Sequence, residues 1–287
     1  MKILITGSQG QLGSSLARTF PHALALGRQS LDIADSVAVR DVIQSYRPQV
    51  IFNAAAYTAV DQAETEFDQA FRINGKALDV LGESAKICDA IVVHWSTDYV
   101  YGASGDKEGI AYQESDAPDP VNRYGESKFA GEQALAASGA AHLIFRCSWV
   151  YAKDGHNFLK AMLRLGAQRE SVSVVSDQWG VPTSAHWLAA SLKQLFDDHS
   201  LEQLRQVSGI YHWVPGGETH WAAYATWVFE CAGMQVEVRP ISSEQWPTAA
   251  KRPRNSRLDC GKAKALLGLI QPDWRDEVRH CVRSLVG

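Results

Sequence analysis

The sequence predicts an α/β fold, in which a doubly wound parallel sheet is followed by a smaller mixed α/β C-terminal lobe. Short apolar segments rich in β-branched residues alternate with helical segments through the first 150 residues. Strands joined by helices form parallel sheets with right-handed crossovers. A cluster of glycines separates the first strand from the first helix. Beyond residue 150 the alternation weakens and Trp, Gly and Pro become frequent, which indicates a second lobe.

The predicted elements follow one another in chain order. The strands are the apolar stretches KILIT (2–6), ALALG (23–27), VIFNAAA (50–56), AIVVHWST (90–97) and HLIFRCSWVYA (142–152). The helices between them are SSLARTF (14–20), a segment ending at residue 46 with Asp35 or Ser36 as its N-cap, the segment 66–88, and VNRYGESKFAGEQAL (121–135).

The chain divides into two parts on this pattern. We expect residues 1–150 to form the sheet domain and residues 151–287 to supply the smaller lobe. Segments near 172–200 and 208–232 are expected to return to the first domain. Two of their stretches, SVSVVSD (171–177) and GIYHWV (209–214), are predicted as strands of the main sheet.

Composition and charge exclude several classes of protein. The net charge of the 287 residues is −4, without the basic surface that binding to nucleic-acid phosphates requires. The five cysteines include no C-x-x-C pair and the nine histidines show no metal-ligand spacing, so we expect reduced thiols and no metal site. No signal peptide is evident and no apolar run approaches the roughly 18 residues of a membrane span. We therefore expect a cytoplasmic protein with no membrane or nucleic-acid partner.

Gly7, Gly10 and Gly13 lie directly between the first strand and the first helix, in the stretch GSQGQLG. Glycines at such a junction permit a tight turn and let a pyrophosphate approach the backbone closely, while the helix N-terminus supplies free N–H groups. The stretch therefore predicts a dinucleotide-binding loop.

The second predicted strand ends in ALGRQS, without the acidic residue that binds the adenosine ribose of NADH. Arg28 lies there instead, and a guanidinium can pair with the 2′-phosphate of NADPH. This residue favours NADPH, with NADH possible. The alternative is a solvated Arg28 that contacts no cofactor.

After the glycine loop, the motifs NAAA (53–56), STD (96–98) and Tyr124-x-x-x-Lys128 follow in the order found in the extended short-chain dehydrogenase/reductase superfamily, which has a Rossmann fold and which the chain resembles. Longer stretches resemble the dTDP-4-dehydrorhamnose reductase family and cover most of the chain: 47–66, 94–106, 119–132, 145–151, 174–185, 209–225 and 252–259. This resemblance implies NAD(P)H-dependent reduction of a dTDP-4-keto-6-deoxy sugar, dTDP-6-deoxy-L-lyxo-4-hexulose, to dTDP-L-rhamnose. It also implies that the smaller lobe binds the substrate.

Reduction of a ketone needs a proton for the carbonyl oxygen as well as a hydride from the cofactor. Residues i and i+4 share one helix face. Lys128 can therefore lower the pKa of Tyr124, the expected proton donor, and bind the nicotinamide ribose. Thr97 ends the fourth strand, where its hydroxyl can bind the sugar O4. The alternative for Thr97 is that it only caps a turn.

The resemblance implies roles for further positions. The expected cofactor contacts are Gly10, Gln11 and Leu12 at the pyrophosphate, Asp32 and Ile33 at the adenine, and Ala56, Tyr57, Thr58 and Trp95 at the nicotinamide. Asp98 and Trp149 are expected to contact the sugar, unless Trp149 is an ordinary core residue. Arg252, Asn255 and Arg257 are expected either to reach the diphosphate or to hold the C-terminal lobe closed.

Other functions are open on the sequence. The related dehydratases carry Thr-Asp-Glu where this chain has Thr97-Asp98-Tyr99, so dehydration is not expected. A non-catalytic dinucleotide-binding subunit, resembling the regulatory subunit of methionine adenosyltransferase, is one alternative. A reductase of another nucleotide 4-keto-6-deoxy sugar and a sugar-nucleotide epimerase are others. We expect a monomer or a homodimer.

The loop ASGDKEGI (103–110) contains small and charged residues, and we expect it to be mobile.

Overall fold

The computed structural model describes residues 1–103, 107 and 109–286. Residues 104–106 and 108, in the loop for which we expect mobility, lie outside the described residues, as does residue 287. None of the described helices is both long enough and apolar enough to cross a membrane.

The strands are β1 (Ile3–Thr6), β2 (Leu24–Leu26), β3 (Val50–Asn53), β4 (Ile91–Thr97), β5 (His142–Cys147), β6 (Val150–Tyr151), β7 (Ser171–Val175), β8 (Trp179–Gly180), β9 (Thr183–Ser184), β10 (Gly209–His212), β11 (Thr219–His220) and β12 (Glu237–Ile241). The helices are α1 (Gln11–Thr19), α2 (Ser36–Tyr46), α3 (Phe67–Phe71), α4 (Ala77–Ile87), α5 (Arg123–Ala137), α6 (Phe158–Gly166), α7 (Ala185–Asp198), α8 (Leu201–Gln206), α9 (Trp221–Cys231), α10 (Gly261–Leu267) and α11 (Trp274–Val286).

The central sheet has six parallel strands in the order β2-β1-β3-β4-β5-β10. Successive connections run to one side from β1 to β2 and to the other from β3 onward. The connections that leave the carboxyl ends of β1 and β3 therefore diverge and leave a crevice, which is where open α/β sheets bind ligands.

Alternate residues of the central strands face two separate cores, which makes the sheet doubly wound. Phe52 and Val93 pack on one face with the residues of α1 and α7, while Ile51 and Val92 pack on the other with α2, α4 and α5. The strands therefore read as nearly continuous apolar runs, as expected for parallel strands buried on both faces. The predicted α/β Rossmann fold is confirmed.

The predicted strand SVSVVSD does not join the main sheet, which corrects that part of the sequence prediction. Instead β7 pairs in parallel with β12 in a separate two-stranded sheet. Ser173 of β7 is exposed between the buried Val172 and Val174, and this alternation suits a strand with one wet face rather than a strand of the buried sheet. The other predicted strand, in GIYHWV, is present as β10 at the edge of the main sheet.

Two predicted elements are broken in the structure. The predicted helix 66–88 is interrupted between α3 and α4 by a π-helical turn at Arg72–Lys76. The predicted strand 142–152 ends at Cys147, because Trp149 has a left-handed backbone conformation with φ of 46°. The residues beyond it form β6, which pairs with β9 in a separate two-stranded sheet.

Candidate active site

A cleft of about 640 Å³ lies at the carboxyl ends of β1, β3, β4 and β5. The predicted site residues that line it are Gly10, Gln11, Leu12, Ala56, Thr58, Trp95, Thr97, Asp98, Tyr124, Lys128 and Trp149. Those that do not line it are Gly7, Gly13, Arg28, Asp32, Ile33, Tyr57, Arg252 and Asn255. The structure thus brings together the residues predicted for the pyrophosphate, the nicotinamide and the reacting sugar.

The glycine loop allows β1, α1 and the end of β3 to approach one another closely. A Cβ on Gly7 would lie 2.6 Å from the Ala55 Cα, and a Cβ on Gly13 would lie 2.1 Å from the Gly7 carbonyl oxygen. Gly7 also has a positive φ of 66°, which glycine adopts without strain. Gly7 and Gly13 therefore shape the loop and do not line the cleft.

Helix α1 begins at the cleft without a side-chain cap. Gly10 is its N-cap residue and no side chain accepts a hydrogen bond from its first N–H groups. These groups and the positive end of the helix dipole are an anion-binding arrangement.

Gln11 connects the glycine loop to a segment of the chain that follows β6. Its Oε1 accepts hydrogen bonds from the Ala152 N–H at 3.1 Å and from Asn157 Nδ2 at 2.8 Å. Arg18 of α1 pairs with Asp154 at 2.9 Å in the same segment. The segment 152–157 therefore borders the open end of α1, and a ligand bound there lies beside it.

Helix α5 carries Tyr124 to the cleft through close backbone contacts. The side chain of Asn122 caps the helix by accepting a hydrogen bond from the Gly125 N–H at 2.8 Å. A Cβ on Gly125 would lie 2.1 Å from the Tyr99 carbonyl oxygen. Because only glycine fits there, the first turn of α5 lies directly on the turn that follows Thr97.

Thr97 faces both the following turn and Tyr124. Its Oγ1 accepts a hydrogen bond from the Tyr99 N–H at 3.2 Å and donates one to Asp98 Oδ1 at 3.2 Å. The Tyr124 phenol lies nearby in the same cleft, and the Thr97 hydroxyl acts to lower its pKa. The threonine therefore caps a turn and at the same time holds its hydroxyl beside the phenol.

The pKa of Tyr124 is raised above its ordinary value, chiefly by burial, while the Thr97 hydroxyl acts in the opposite direction. The sequence predicts instead that Lys128 lowers this pKa. In the structure, Lys128 Nζ donates to the Trp95 carbonyl oxygen at 2.6 Å and lies 3.2 Å from His94 Nε2. Burial, and after it the neighbouring Cys147, Asp98 and Tyr99, raise the pKa of Tyr124 and hold the phenol in its protonated form.

Lys128 is 2% exposed, and burial lowers the pKa of its amine to about 8. An amine with this pKa is largely an ammonium at neutral pH but loses its proton in mildly alkaline solution.

Asp98 is a buried carboxyl beside the cleft. Burial raises its pKa to about 7, against the effect of its hydrogen bonds with Ser256 and Thr97. Its Oδ2 has no hydrogen-bond partner within the described part of the chain. The same is true of Ser96 Oγ and Trp95 Nε1, which belong to other residues lining the cleft. Unpartnered buried polar atoms are costly, so these three are positioned to be satisfied by a ligand.

Trp149 also lines the cleft and stacks on Trp221, with ring centroids 3.8 Å apart. A Cβ on Gly180 would lie 2.9 Å from Trp149 Cζ2, so the ring also needs glycine at that position. A left-handed backbone is unusual for a bulky residue. The structure therefore fixes this indole at the cleft by strain, stacking and a glycine contact.

Arg28, Asp32 and Ile33 lie beyond the cleft, after β2. The Arg28 side chain is 70% exposed, with its Nε 3.9 Å from Asp32 Oδ2. Asp32 accepts a hydrogen bond from the Ala34 N–H, and Ile33 is buried in the core with α2. Arg28 and Asp32 thus both have charged groups open to solvent on the predicted adenine side, and Arg28 is the positively charged one.

Arg252 and Asn255 make contacts between segments of the protein and do not line the cleft. Arg252 forms a bidentate pair with Asp61, with nitrogen–oxygen distances of 3.0 and 2.8 Å. Asn255 is buried and donates to the carbonyl oxygens of Lys107 and Ile110. Arg257 pairs with Glu218. Of the two roles predicted for these residues, the geometry favours holding the C-terminal segment in place.

Several residues that position the site were not predicted from the sequence. Asn74, in the π-helical turn, accepts a hydrogen bond from the Tyr57 N–H at 2.8 Å and donates to the Tyr57 carbonyl oxygen at 2.9 Å and to Ser127 Oγ at 3.0 Å. It thereby joins the loop after β3 to α5. The signal was the Asn74-Gly75 pair inside a helical pattern, which disfavours a regular helix. Cys147 and Trp221 also line the cleft, and no motif singled them out.

Residues 1–286 match the model of a protein family described as the RmlD substrate binding domain. The chain belongs to this family. A curated relative from Shigella flexneri named dTDP-4-dehydrorhamnose reductase is 40% identical, covering 99% of this chain and 98% of the relative. A relative of the same name from Sinorhizobium fredii is 38% identical, covering 100% of this chain and 98% of the relative.

Solved structures of RmlD-type proteins have the same fold over the whole chain. The crystal structure of dTDP-4-dehydrorhamnose reductase from Bacillus anthracis in complex with NADP superposes with a TM-score of 0.91 at 36% identity, covering 99% of both chains. The Clostridium acetobutylicum structure of that name gives a TM-score of 0.92 at 32% identity, again with 99% coverage of both. A UDP-glucose 4-epimerase from Thermus thermophilus, at 21% identity and a TM-score of 0.80, shares the fold alone.

Proposed function

We propose that this protein is an NADPH-dependent dTDP-4-dehydrorhamnose reductase, which reduces the 4-keto group of dTDP-6-deoxy-L-lyxo-4-hexulose to give dTDP-L-rhamnose. The observation that carries the proposal is the convergence of Tyr124, Thr97 and Lys128 on one cleft, whose other end is the uncapped N-terminus of α1. The names of the full-length relatives supply the substrate.

The cofactor assignment is supported by how the cleft is built. The uncapped N–H groups of α1 and the close backbone packing at Gly7 and Gly13 suit a pyrophosphate. Trp95 Nε1 and Ser96 Oγ are buried and unpartnered among the described residues. Arg28 is exposed and only weakly paired, so it is available to the 2′-phosphate of NADPH. We propose Asp32 and Ile33 for the adenine side, with Ala56, Tyr57 and Thr58 near the nicotinamide.

The protein's part in the reaction is to orient the ketone and deliver a proton. Bound NADPH supplies the hydride. The Tyr124 phenol, held protonated by burial, donates its proton to the sugar O4 as charge develops there. The Thr97 hydroxyl is held in place by the turn that follows it and donates to Asp98 Oδ1. When the substrate binds, this hydroxyl donates its hydrogen bond to the sugar O4 instead, as the second donor to that oxygen. Two of the three N–H groups of the Lys128 ammonium contact His94 and the Trp95 carbonyl oxygen. The third binds the nicotinamide ribose.

Substrate binding is divided between the two parts of the chain. Residues 1–150 hold the cofactor, and residues from 151 onward, with Trp149 at the junction, cover the sugar. The Trp149 indole packs on sugar C–H groups, and Asp98 binds a sugar hydroxyl. Arg252 and Asn255, first expected at the substrate, hold the C-terminal segment against the loop after β3 and the residues near 110.

The experiment mixes the purified protein with dTDP-6-deoxy-L-lyxo-4-hexulose and NADPH and follows the loss of the reduced nicotinamide absorbance. We expect sugar-dependent oxidation, with dTDP-L-rhamnose identified as the product by mass and NMR. Cofactor binding without oxidation would overturn the proposal and support the non-catalytic subunit. Oxidation with only the C4 epimer of the sugar as product would assign a different reductase.

A further inference from the structure

A row of buried polar side chains crosses the sheet directly behind the cleft. Thr6, Asn53 and His94 occupy neighbouring strands at matched positions, since Thr6 pairs with Asn53 and Asn53 pairs with His94 in the sheet register. Side chains at paired positions point to the same face, and Lys128 of α5 meets the row on that face. All four residues are at most 2% exposed.

The four side chains form a continuous hydrogen-bonded chain. Thr6 Oγ1 and Asn53 Oδ1 are 2.6 Å apart, Asn53 Nδ2 and His94 Nδ1 are 3.0 Å apart, and His94 Nε2 lies 3.2 Å from Lys128 Nζ. A polar row of this kind is expensive inside a core of apolar strands unless each member is satisfied.

The donors and acceptors of this chain can be arranged in two ways. One arrangement is compatible with the ammonium form of Lys128, and the other with its neutral amine. A neutral imidazole has one donor and one acceptor nitrogen. If Lys128 is an ammonium, His94 Nε2 must accept, so Nδ1 carries the hydrogen and donates to the Asn53 carbonyl oxygen. In the orientation of the structure, Asn53 presents its amide nitrogen to Nδ1 and its Oδ1 to Thr6. The Nε2 hydrogen then points at Lys128, and only a neutral amine can accept it. The ammonium arrangement therefore requires the Asn53 amide to turn over, so that Oδ1 faces His94.

Burial, and secondly the Lys128 charge, hold the pKa of His94 well below its ordinary value, so the ring itself stays neutral. The other titratable groups whose charge acts on Lys128 are the Cys147 thiol of β5 and Glu132 of α5, which is paired with Arg146. Tyr124 lies one turn earlier on α5. Burial raises the pKa of the Cys147 thiol to about 12. Thus neither the imidazole nor the thiol changes charge near neutral pH.

We propose that His94 is a positioning residue of this site, which holds Lys128 at the cleft and, together with Asn53, selects the protonation state of its amine. The proposal rests on the proposed function for the role of the ammonium. An ammonium has three donors. Two of them are used by the Trp95 carbonyl oxygen and His94, and the third remains for the cofactor. The orientation of the Asn53 amide and the tautomer of His94 therefore determine the pH above which Lys128 loses this third N–H donor.

Two substitutions at His94 separate positioning from packing. His94→Phe removes the acceptor of the Lys128 ammonium, whereas His94→Gln can return an amide oxygen to it. We expect the alkaline limb of the kcat/KM profile of His94→Phe to move down by about one to two pH units, the shift produced by losing one hydrogen bond to a charged group. His94→Gln should retain most of the wild-type profile.

The matched control is His212→Gln. His212 is also a fully buried, neutral imidazole, but it contacts Tyr101 Oη and the Asp259 carbonyl oxygen, away from Lys128. This variant should show any loss of stability or activity that comes from replacing a buried histidine, but the alkaline limb of its kcat/KM profile should not move. A limb that moves equally in His212→Gln and His94→Phe would overturn the proposal.

A direct readout does not depend on activity. In protein labelled with ¹⁵N-histidine, the Nδ1 and Nε2 shifts of His94, assigned with His94→Gln, report its tautomer. We expect the Nδ1–H tautomer at neutral pH and a change to Nε2–H as pH rises past the Lys128 titration. If the His94 tautomer stays constant across the pH range in which Lys128 titrates, the inference is wrong. If the tautomer switches but the protein has no reductase activity, the proposed function fails while the coupling stands.

Discussion

Lys128 donates a hydrogen bond of 2.6 Å to the carbonyl oxygen of Trp95 and is thereby held against β4, whose carboxyl end lines the cleft. Tyr124, one turn earlier on α5, is instead beside Thr97, whose hydroxyl acts to lower the pKa of the phenol. The two residues share a helix face but contact different parts of β4. The phenol is thereby kept near the reacting oxygen, while the ammonium is kept for the cofactor.

Asp98→Asn is expected to change how stability depends on pH. The folded pKa of about 7 is above the ordinary value of 3.8. The folded protein therefore holds a proton that the unfolded chain has lost between these values, and the free energy of unfolding falls as pH rises through this window. Relative to Asp98→Asn, the wild type should lose about 2–3 kcal/mol between pH 5 and pH 8. Urea unfolding at both pH values measures this difference, and parallel pH dependences of the two proteins would contradict it.

Arg28→Ala tests the cofactor preference. The guanidinium is exposed and its Asp32 contact is long at 3.9 Å, so removing it should disturb the fold little. We expect the preference for NADPH over NADH, measured as a ratio of kcat/KM values, to fall about tenfold, as for the loss of one exposed charge-assisted contact. The NADH value itself is the internal control. A ratio unchanged by the substitution means that Arg28 is only a surface residue.

Gly180→Ala is expected to displace Trp149. The new Cβ would lie 2.9 Å from Trp149 Cζ2 and 3.1 Å from the Ser256 Cβ, so the indole must move. We expect KM for the sugar to rise several-fold with little change in NADPH affinity. Gly216→Ala is the matched control, because a Cβ there approaches nothing closer than 3.5 Å. Equal effects of the two variants on KM would exclude the platform role of Trp149.

The Arg252–Asp61 pair distinguishes a structural contact from a substrate contact. If the pair holds the C-terminal segment, Arg252→Ala and Asp61→Ala should each weaken stability modestly, with a coupling of about 0.2–1 kcal/mol in a double-mutant cycle. Both should raise KM for the sugar similarly. If Arg252 binds the diphosphate, Asp61→Ala should leave KM unchanged or lower it, while Arg252→Ala raises it.

Local sequence patterns predicted the parts of the site that depend on neighbours along the chain. The glycine loop between β1 and α1 and the spacing of Tyr124 and Lys128 on one helix are of this kind. The position of Thr97 at the end of β4 also followed from a continuous apolar strand. These features follow from periodicity and from the conformations that glycine permits.

The residues that the sequence did not reveal depend on contacts between distant segments. The row from Thr6 to His94 needs the register of three parallel strands, which no single strand encodes. The left-handed backbone at Trp149 needs Gly180 and Trp221 around it. Burial also reversed the predicted shift in the pKa of Tyr124, because a helix pattern shows which residues are adjacent but not how much solvent they lose.

The most direct test of the account is the turnover rate of Tyr124→Phe with saturating NADPH and dTDP-6-deoxy-L-lyxo-4-hexulose. The substitution removes the phenolic proton and leaves the ring, so NADPH affinity measured by fluorescence should change little. We predict that kcat falls by about 10²–10⁴-fold, the usual contribution of a general acid. A variant that forms dTDP-L-rhamnose at close to the wild-type rate would contradict the assignment of Tyr124 as the proton donor.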